Sequence, residues 1–225
     1  MLRYPCLVLD HDDTVVRSEA TVNYPSFCKA LEELRPGTPL SLREFSLWTC
    51  QEGFFEMCIN HFEFQEKDFK RQFEIWLNEV MHHMPPAFPG VDRILNRYKE
   101  EGGRICVVSH SSKENITRDY LAHFGFAPDR IYDGELEADK RKPSPWPLDD
   151  IMEHYGLSSR ELLVVDDMMP GFQMAKKRNV DFAWAGWYRK ETPEIADIME
   201  KHCDFSFRTV EGLENFLFGN LTSVL

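Results

Sequence analysis

Short apolar runs, separated by polar residues and helical stripes, set the rhythm of this chain. Residues 6–9 (Cys-Leu-Val-Leu), 105–108 (Ile-Cys-Val-Val) and 162–165 (Leu-Leu-Val-Val) are continuous apolar runs; 182–185 and Phe205–Phe207 are weaker ones. Such runs, without alternation, predict strands buried on both faces of a parallel sheet. Between them apolar residues recur at helical spacing. Val91, Ile94, Leu95 and Tyr98 share one face, with Gly102 and Gly103 to end the helix. Ile116, Tyr120, Leu121 and Phe124 repeat the pattern before Gly125, and Leu148, Ile151, Met152 and Tyr155 before Gly156.

Strand–helix alternation of this kind predicts an α/β fold with a doubly wound, Rossmann-like parallel sheet. Residues 17–86 break the rhythm, with helical patterns and no convincing strand. Tyr24, Phe27, Cys28, Leu31 and Leu34 form one stripe, and Phe69, Phe73, Trp76 and Val80 form another. Ser41-Leu42-Arg43-Glu44 is a capping-box pattern that opens a helix between them. Pro85-Pro86 and Pro89-Gly90 punctuate the return to the sheet. The expected organisation is a core of residues 1–16 and 87–225 with a small α-helical cap, residues 17–86, inserted after the first strand. The cap aromatics read as its packing core.

Composition narrows the partners. With 26 Lys+Arg against 38 Asp+Glu, the chain of 225 residues carries a formal charge of −12. That balance argues against nucleic acid and anionic membranes, which would be repelled. The apolar runs are far too short to span a bilayer, and no secretory signal pattern is visible. The six cysteines include no CxxC pair, and Cys6 and Cys106 sit in apolar runs as buried thiols. A reducing, cytoplasmic setting is expected, with the chain a monomer or homodimer.

In an open parallel sheet, ligands bind beyond the carboxyl ends of the strands. Asp10-His11-Asp12-Asp13-Thr14 follows the first run, Ser109-His110-Ser111-Ser112 the second, and Asp166-Asp167 the third; Lys140-Arg141-Lys142-Pro143 lies between the last two. In one crevice these groups would gather several carboxylates, a hydroxyl and an ammonium. Crowded carboxylates repel, and a divalent cation relieves that; all-oxygen ligands favour a hard ion such as Mg²⁺. A cation, Lys142 and Ser109 together would receive a phosphoryl group. Asp10 and Asp12, two apart on an extended segment, point the same way, so one can attack phosphorus while the other moves a proton.

The same residues carry a family resemblance. Asp10-His11-Asp12-Asp13-Thr14 resembles the DxDxT signature of the haloacid dehalogenase-like phosphohydrolases. Ser109 resembles the second signature, Lys142-Pro143-Ser144-Pro145 the KPxP form of the third, and Asp166-Asp167 the acidic fourth. The insert, Ser109–Asn115 and Asp167-Met168-Met169-Pro170-Gly171 resemble the phosphoglycolate phosphatase and β-phosphoglucomutase branch. The resemblance implies Asp10 as nucleophile, forming an aspartyl-phosphate, and Asp12 as general acid and then base. It implies Ser109 and Lys142 as phosphoryl ligands. Mg²⁺ would be held by Asp10, the backbone carbonyl of Asp12 and Asp167, with Asp166 near or in the shell, and Thr14 would support the loop. Asp12 also argues against true dehalogenation, since haloacid dehalogenases lack that second aspartate. Two residues depart from the pattern: Asp13 stands where glycine is common, and Met168 where serine is common.

The function so implied is a Mg²⁺-dependent phosphatase acting on a small phosphorylated metabolite. Alternatives are a phosphomutase of the β-phosphoglucomutase type and a catalytically weak binding or regulatory protein. His11 and His110 flank the site and are candidates to touch substrate. Ser109 could also cap a helix. Adjacent His82 and His83 point in different directions on a helix, which argues against a metal site. Asp149 and Asp150 suit a helix start. Trp48, Glu52 and His61 are cap candidates for specificity. The Trp187-Tyr188-Arg189-Lys190 segment is either an exposed loop or a wall of the cleft.

Overall fold

A computed structural model of the chain describes residues 2–188 and 192–219. Arg189 and Lys190 lie outside the described residues. Among the described residues six strands form one parallel sheet in the order β3-β2-β1-β4-β5-β6. They are β1 (Cys6–Leu9), β2 (Arg104–Val108), β3 (Arg130–Tyr132), β4 (Leu162–Asp166), β5 (Asp181–Ala185) and β6 (Phe205–Phe207). All the runs read as strands are strands. β3 was not anticipated: it is a three-residue, half-buried edge strand, too short to leave a hydrophobic pattern.

The central strands are apolar throughout because helices cover both sheet faces. Leu7, Leu9, Ile105, Val107, Leu163 and Val165 face α5 (Val91–Glu100), α6 (Lys113–Phe124) and α10 (Val210–Phe218). Cys6, Val8, Cys106, Val108, Leu162 and Val164 face α7 (Trp146–Tyr155), α8 (Met169–Lys176) and α9 (Pro193–Glu200). Leu121 leaves the stripe expected of it: it is half exposed, and the buried face of α6 is carried by Ile116, Tyr120 and Phe124 with Asn115 and Asp119. Cys6 and Cys106 are buried free thiols, as read.

The insert after β1 is helical, with α1 (Tyr24–Leu34) entered through a π-turn (Glu19–Asn23), then α2 (Leu42–Glu52), α3 (Phe54–Phe62) and α4 (Glu66–His82). Ser41 and Glu44 close the capping box at the start of α2. The insert has its own apolar cluster, with Phe27 at its centre and the rings of Phe45, Phe54, Phe62 and Phe64 5.4–5.9 Å away. The α4 stripe behaves differently. Val80 is buried, but Phe73 is 43% exposed and Trp76 only partly covered, because this side of α4 fronts a cavity and not the cluster.

The two chain crossings between core and insert run side by side. The Arg17 amide donates to the Pro86 carbonyl and the Phe88 amide to the Val15 carbonyl, with an antiparallel bridge between Val16 and Ala87. The insert also rests on the core: Leu47 and Cys50 of α2 join the cluster beneath α8 and α9, and Arg43 pairs with Glu194. Among the described residues no helix is long and apolar enough to cross a membrane.

Phe27→Ala would empty the centre of the insert's cluster and cost about 3–5 kcal/mol there. Hydrogen exchange followed by mass spectrometry is expected to speed up across α1–α4 while β1, β2 and β4 stay protected.

Candidate active site

β1 is flanked by β2 and β4, so the residues that follow these three strands meet at the point where the strand order reverses. The Asp10 amide donates to the Val165 carbonyl and the Ser109 amide to the Tyr132 carbonyl, both at 2.9 Å. These bonds extend the ladders one residue past the strands and fix both backbones. Asp10, Asp166 and Asp167 are buried, and each offers a carboxylate oxygen within 4.8 Å of the others.

Lys142 enters from the loop before α7. Its Nζ donates to Asp10 Oδ1 and to Asp166 Oδ2, each at 2.7 Å. Burial pushes this ammonium toward neutrality, but the charges of Asp10 and Asp166 outweigh that and hold its pKa above the usual lysine range. Asp166 Oδ1 accepts from the Met168 amide at 2.8 Å. Burial nonetheless raises the Asp166 carboxyl from 3.8 to about 6; Lys142 opposes the shift, and Asp10 adds to it. α8 approaches Asp166 so closely that a Cβ on Gly171 would stand 2.2 Å from Asp166 Oδ2. Met168, where the family pattern has serine, caps α8 without a side-chain hydrogen bond.

The Asp12 carboxylate lies outside this cluster, on the insert side. Its Oδ1 accepts from Ser18 Oγ at 2.5 Å and Asn23 Nδ2 at 3.3 Å, and its Oδ2 from Ser109 Oγ at 3.4 Å. Asp13 occupies its glycine-like position with φ of 55° and accepts from the Ser18 and Glu19 amides. Aspartate tolerates this left-handed conformation better than most residues. Thr14 is buried, but its hydroxyl makes no hydrogen bond among the described residues. Backbone bonds from Val15 to His11 and from Asp13 to Val16 support the loop in its place.

Asp10, Asp12, Ser109, His110, Lys142, Asp166 and Asp167 all line one cavity of about 480 Å³ beneath the insert. Ser112, and not Ser109, caps α6, accepting from the Asn115 amide. Ser109 Oγ accepts instead from the Ser111 amide. Ser111 and Ser112 also line the cavity, so the N-terminus of α6 opens onto it, a favourable place for an anion.

The two flanking histidines part company. His110 opens into the cavity within a crowded shell of protein, and its Nε2 lies 3.1 Å from the Lys142 carbonyl. Burial and then the Lys142 charge lower its pKa to about 4, so it is neutral at pH 7. His11 is buried away from the cavity, where its Nε2 meets Asp119 Oδ2 at 3.1 Å, and it is not placed to touch substrate. Trp48 stacks on His61 at 3.8 Å, with His61 on Glu52, and neither ring lines this cavity. His82 and His83 are exposed at the end of α4, and Asp149 and Asp150 pair with Arg178 and Arg130. Trp187 and Tyr188 pack on Phe88 and are not cavity wall.

Sequence reasoning missed Ser18 and Asn23, which grip Asp12, and Glu19 and Arg141 in the wall. Nearness to the DxDxT segment was the only signal for the first three, and Arg141 was visible only as the neighbour of Lys142.

A family model described as haloacid dehalogenase-like hydrolase matches residues 7–185. The chain belongs to this family. Solved structures of the same fold include one from Bacteroides fragilis described provisionally as a haloacid dehalogenase-like hydrolase. It has a TM-score of 0.77 and 20% identity, covering 93% of this chain and 99% of that one. CbbY from Rhodobacter sphaeroides, solved with phosphate, gives 0.72 and 18%, covering 94% and 99%. A predicted phosphoglycolate phosphatase from Haemophilus somnus gives 0.64 and 19%, covering 82% and 86%. No curated protein matches the sequence at a significant level. In this haloacid dehalogenase-like hydrolase the acidic cluster fits a hard divalent cation: its donors are all oxygen, it is buried, and the Lys142 ammonium pairs with two of its three carboxylates.

The raised Asp166 carboxyl has a measurable consequence. Between 3.8 and about 6 the unfolded chain releases a proton that the folded one keeps, so metal-free stability falls as pH rises through that window. A cation needs the carboxylates ionised. Thermal unfolding is therefore expected to show a larger Tm gain from MgCl₂ near pH 7.5 than near pH 5; equal gains would remove the ionised cluster from the account.

Proposed function

We propose that this chain is a Mg²⁺-dependent phosphatase acting on a small phosphorylated metabolite through an aspartyl-phosphate. One observation carries the reading. A buried carboxylate cluster bridged by Lys142 opens onto a covered cavity, with a second, separately held carboxylate, Asp12, on the insert side. The family match and the phosphate held by CbbY, a protein of the same fold, point the same way.

Asp10 is the nucleophile in this reading. Its carboxylate oxygen forms a bond to phosphorus as the ester P–O bond breaks. Asp12, protonated, gives its proton to the departing alkoxide. It then takes a proton from the water whose oxygen attacks the aspartyl-phosphate, and inorganic phosphate leaves with Asp10 restored. Ser109 and Lys142 hold the phosphoryl oxygens, with His110 beside them as a neutral hydrogen-bonding group. Asp10, the Asp12 carbonyl and Asp167 would hold Mg²⁺, with Asp166 next to it; the ion supplies positive charge to the phosphoryl oxygens. The insert covers the site and keeps bulk water from the acyl-phosphate.

Ser18 and Asn23 give the insert a direct hold on the acid–base group. They keep the Asp12 carboxylate oriented from the insert side while Ser109 reaches it from the core.

Phosphate release from para-nitrophenyl phosphate tests the assignment. Release is expected with Mg²⁺, lost in EDTA, and lowered at least about a thousandfold in Asp10→Asn. Asp12→Asn is expected to lower kcat by about 10²–10⁴. Release that survives Asp10→Asn in pure protein would sink the nucleophile. With sugar phosphates, conserved organic phosphate in place of stoichiometric inorganic phosphate would favour a mutase.

A further inference from the structure

The cavity has two unlike ends. The core end carries the carboxylates, Lys142 and the serines. The insert end is aromatic: Phe54, Phe55, Phe69, Phe73 and Trp76 line it together. Phe55 lies 5.5 Å from Phe69 and 5.7 Å from Phe54, and Phe73 lies 5.6 Å from Trp76. The Phe55 ring also meets the edge of His110 and lies under the Arg141 guanidinium, at 5.0 Å. The wall thus runs continuously to the phosphoryl end.

Two of these rings keep a large part of their surface open. Phe55 is 38% exposed and Phe73 43% exposed, although the insert has a dense cluster of its own around Phe27. Large apolar side chains left open to water, in a concave wall facing a reactive centre, mark a surface that a ligand covers.

Several polar groups at this end are already engaged by other side chains. Asn23 accepts from Trp76 Nε1 at 2.9 Å and donates to Asp12 and Ser18. Glu19 accepts from Ser46, and Thr49 donates to Met57 Sδ. A polyhydroxylated leaving group would lose its hydration against the five rings, which opposes its binding. A flat apolar group would instead cover the exposed rings and stack against them. Lys70 and Gln72, also in the wall, can meet a single polar substituent.

We propose that the insert wall selects phosphomonoesters whose alcohol carries an aromatic or similarly planar apolar group, over sugar phosphates and phosphoglycolate. This rests on the phosphatase reading above and names its substrate class.

The test compares leaving groups of similar basicity, so that the chemistry of bond breaking does not decide the outcome. The kcat/KM for 2-phenylethyl phosphate is measured against glycerol 3-phosphate, glucose 6-phosphate and phosphoglycolate, with acetyl phosphate as a small donor that reports the core site alone. The expected result is a preference of roughly 30-fold or more for the phenylethyl ester. In Phe73→Ala the ratio of phenylethyl to glycerol ester is expected to fall about tenfold. Phe73 is exposed enough for this variant to fold. Sugar phosphates or phosphoglycolate turned over as well as the phenylethyl ester would overturn the substrate class and leave the phosphatase reading standing. An unchanged ratio in Phe73→Ala would also overturn it. No phosphate from any ester or from acetyl phosphate would overturn both readings together.

Discussion

Three carboxylates buried at the ends of two adjacent strands repel each other, and the rest of the site is arranged around that repulsion. Two unit charges 4 Å apart interact by about 4 kcal/mol at the effective dielectric typical near a protein surface. Lys142 answers part of it by bridging Asp10 and Asp166, and the Met168 amide satisfies the far oxygen of Asp166. The compensation is incomplete, since burial still holds the Asp166 carboxyl near 6. Strain of this kind, left in place by a fold that could have put neutral residues there, marks a functional centre and not a stabilising one. Gly171 belongs to the same arrangement, because any side chain there would push α8 off Asp166.

The insert completes what the core begins. The core places Asp10, Ser109, Lys142 and the acidic pair through strand ends and one loop. The insert supplies the aromatic wall and, through Ser18 and Asn23, the partners of Asp12 Oδ1, while Ser109 of the core meets its Oδ2. Trp76 binds Asn23, so one hydrogen-bonded chain runs from the wall of the cavity to the carboxylate assigned to proton transfer. In the proposed mechanism, substrate fit and proton delivery are linked through these three side chains.

Much of this was legible in the sequence, for identifiable reasons. Continuous apolar runs marked β1, β2, β4 and β5, because burial on both faces leaves no alternation to misread, while Phe205–Phe207 marked the half-exposed β6 more weakly. That Asp10, Asp12, Ser109, Asp166 and Asp167 line one cavity was legible because they lie at the ends of those runs, where a parallel sheet gathers them, whereas Lys142 follows no run and stood out only through its Lys-Pro motif. β3 was missed because three half-buried residues carry no pattern. Leu121 and Phe73 were misassigned for a common reason: helical spacing shows which residues share a face but not what that face meets. On α6 the edge of the stripe met solvent, and on α4 the stripe met a cavity. His11 and His110 flank equivalent signatures, yet only coordinates could show that Asp119 draws one away while the other opens to the cavity.

The paired crossings at Arg17–Pro86 and Val15–Phe88 make the insert a closed excursion from the core. A chain whose ends are clamped together before it departs does not alter the path of the sheet around it. The loop-closure entropy of such an excursion grows only with the logarithm of its length, and the Phe27 cluster gives the excursion an interior of its own. The core therefore meets the insert through a short stalk, a docking face on α8 and α9, the Arg118 bond to the Val80 carbonyl and the contacts of Phe55 with His110 and Arg141. An insert of different length or lining, arising at the same stalk, would leave the strand ends and their carboxylates where they are. Selectivity in such an architecture can drift while the reacting groups stay fixed.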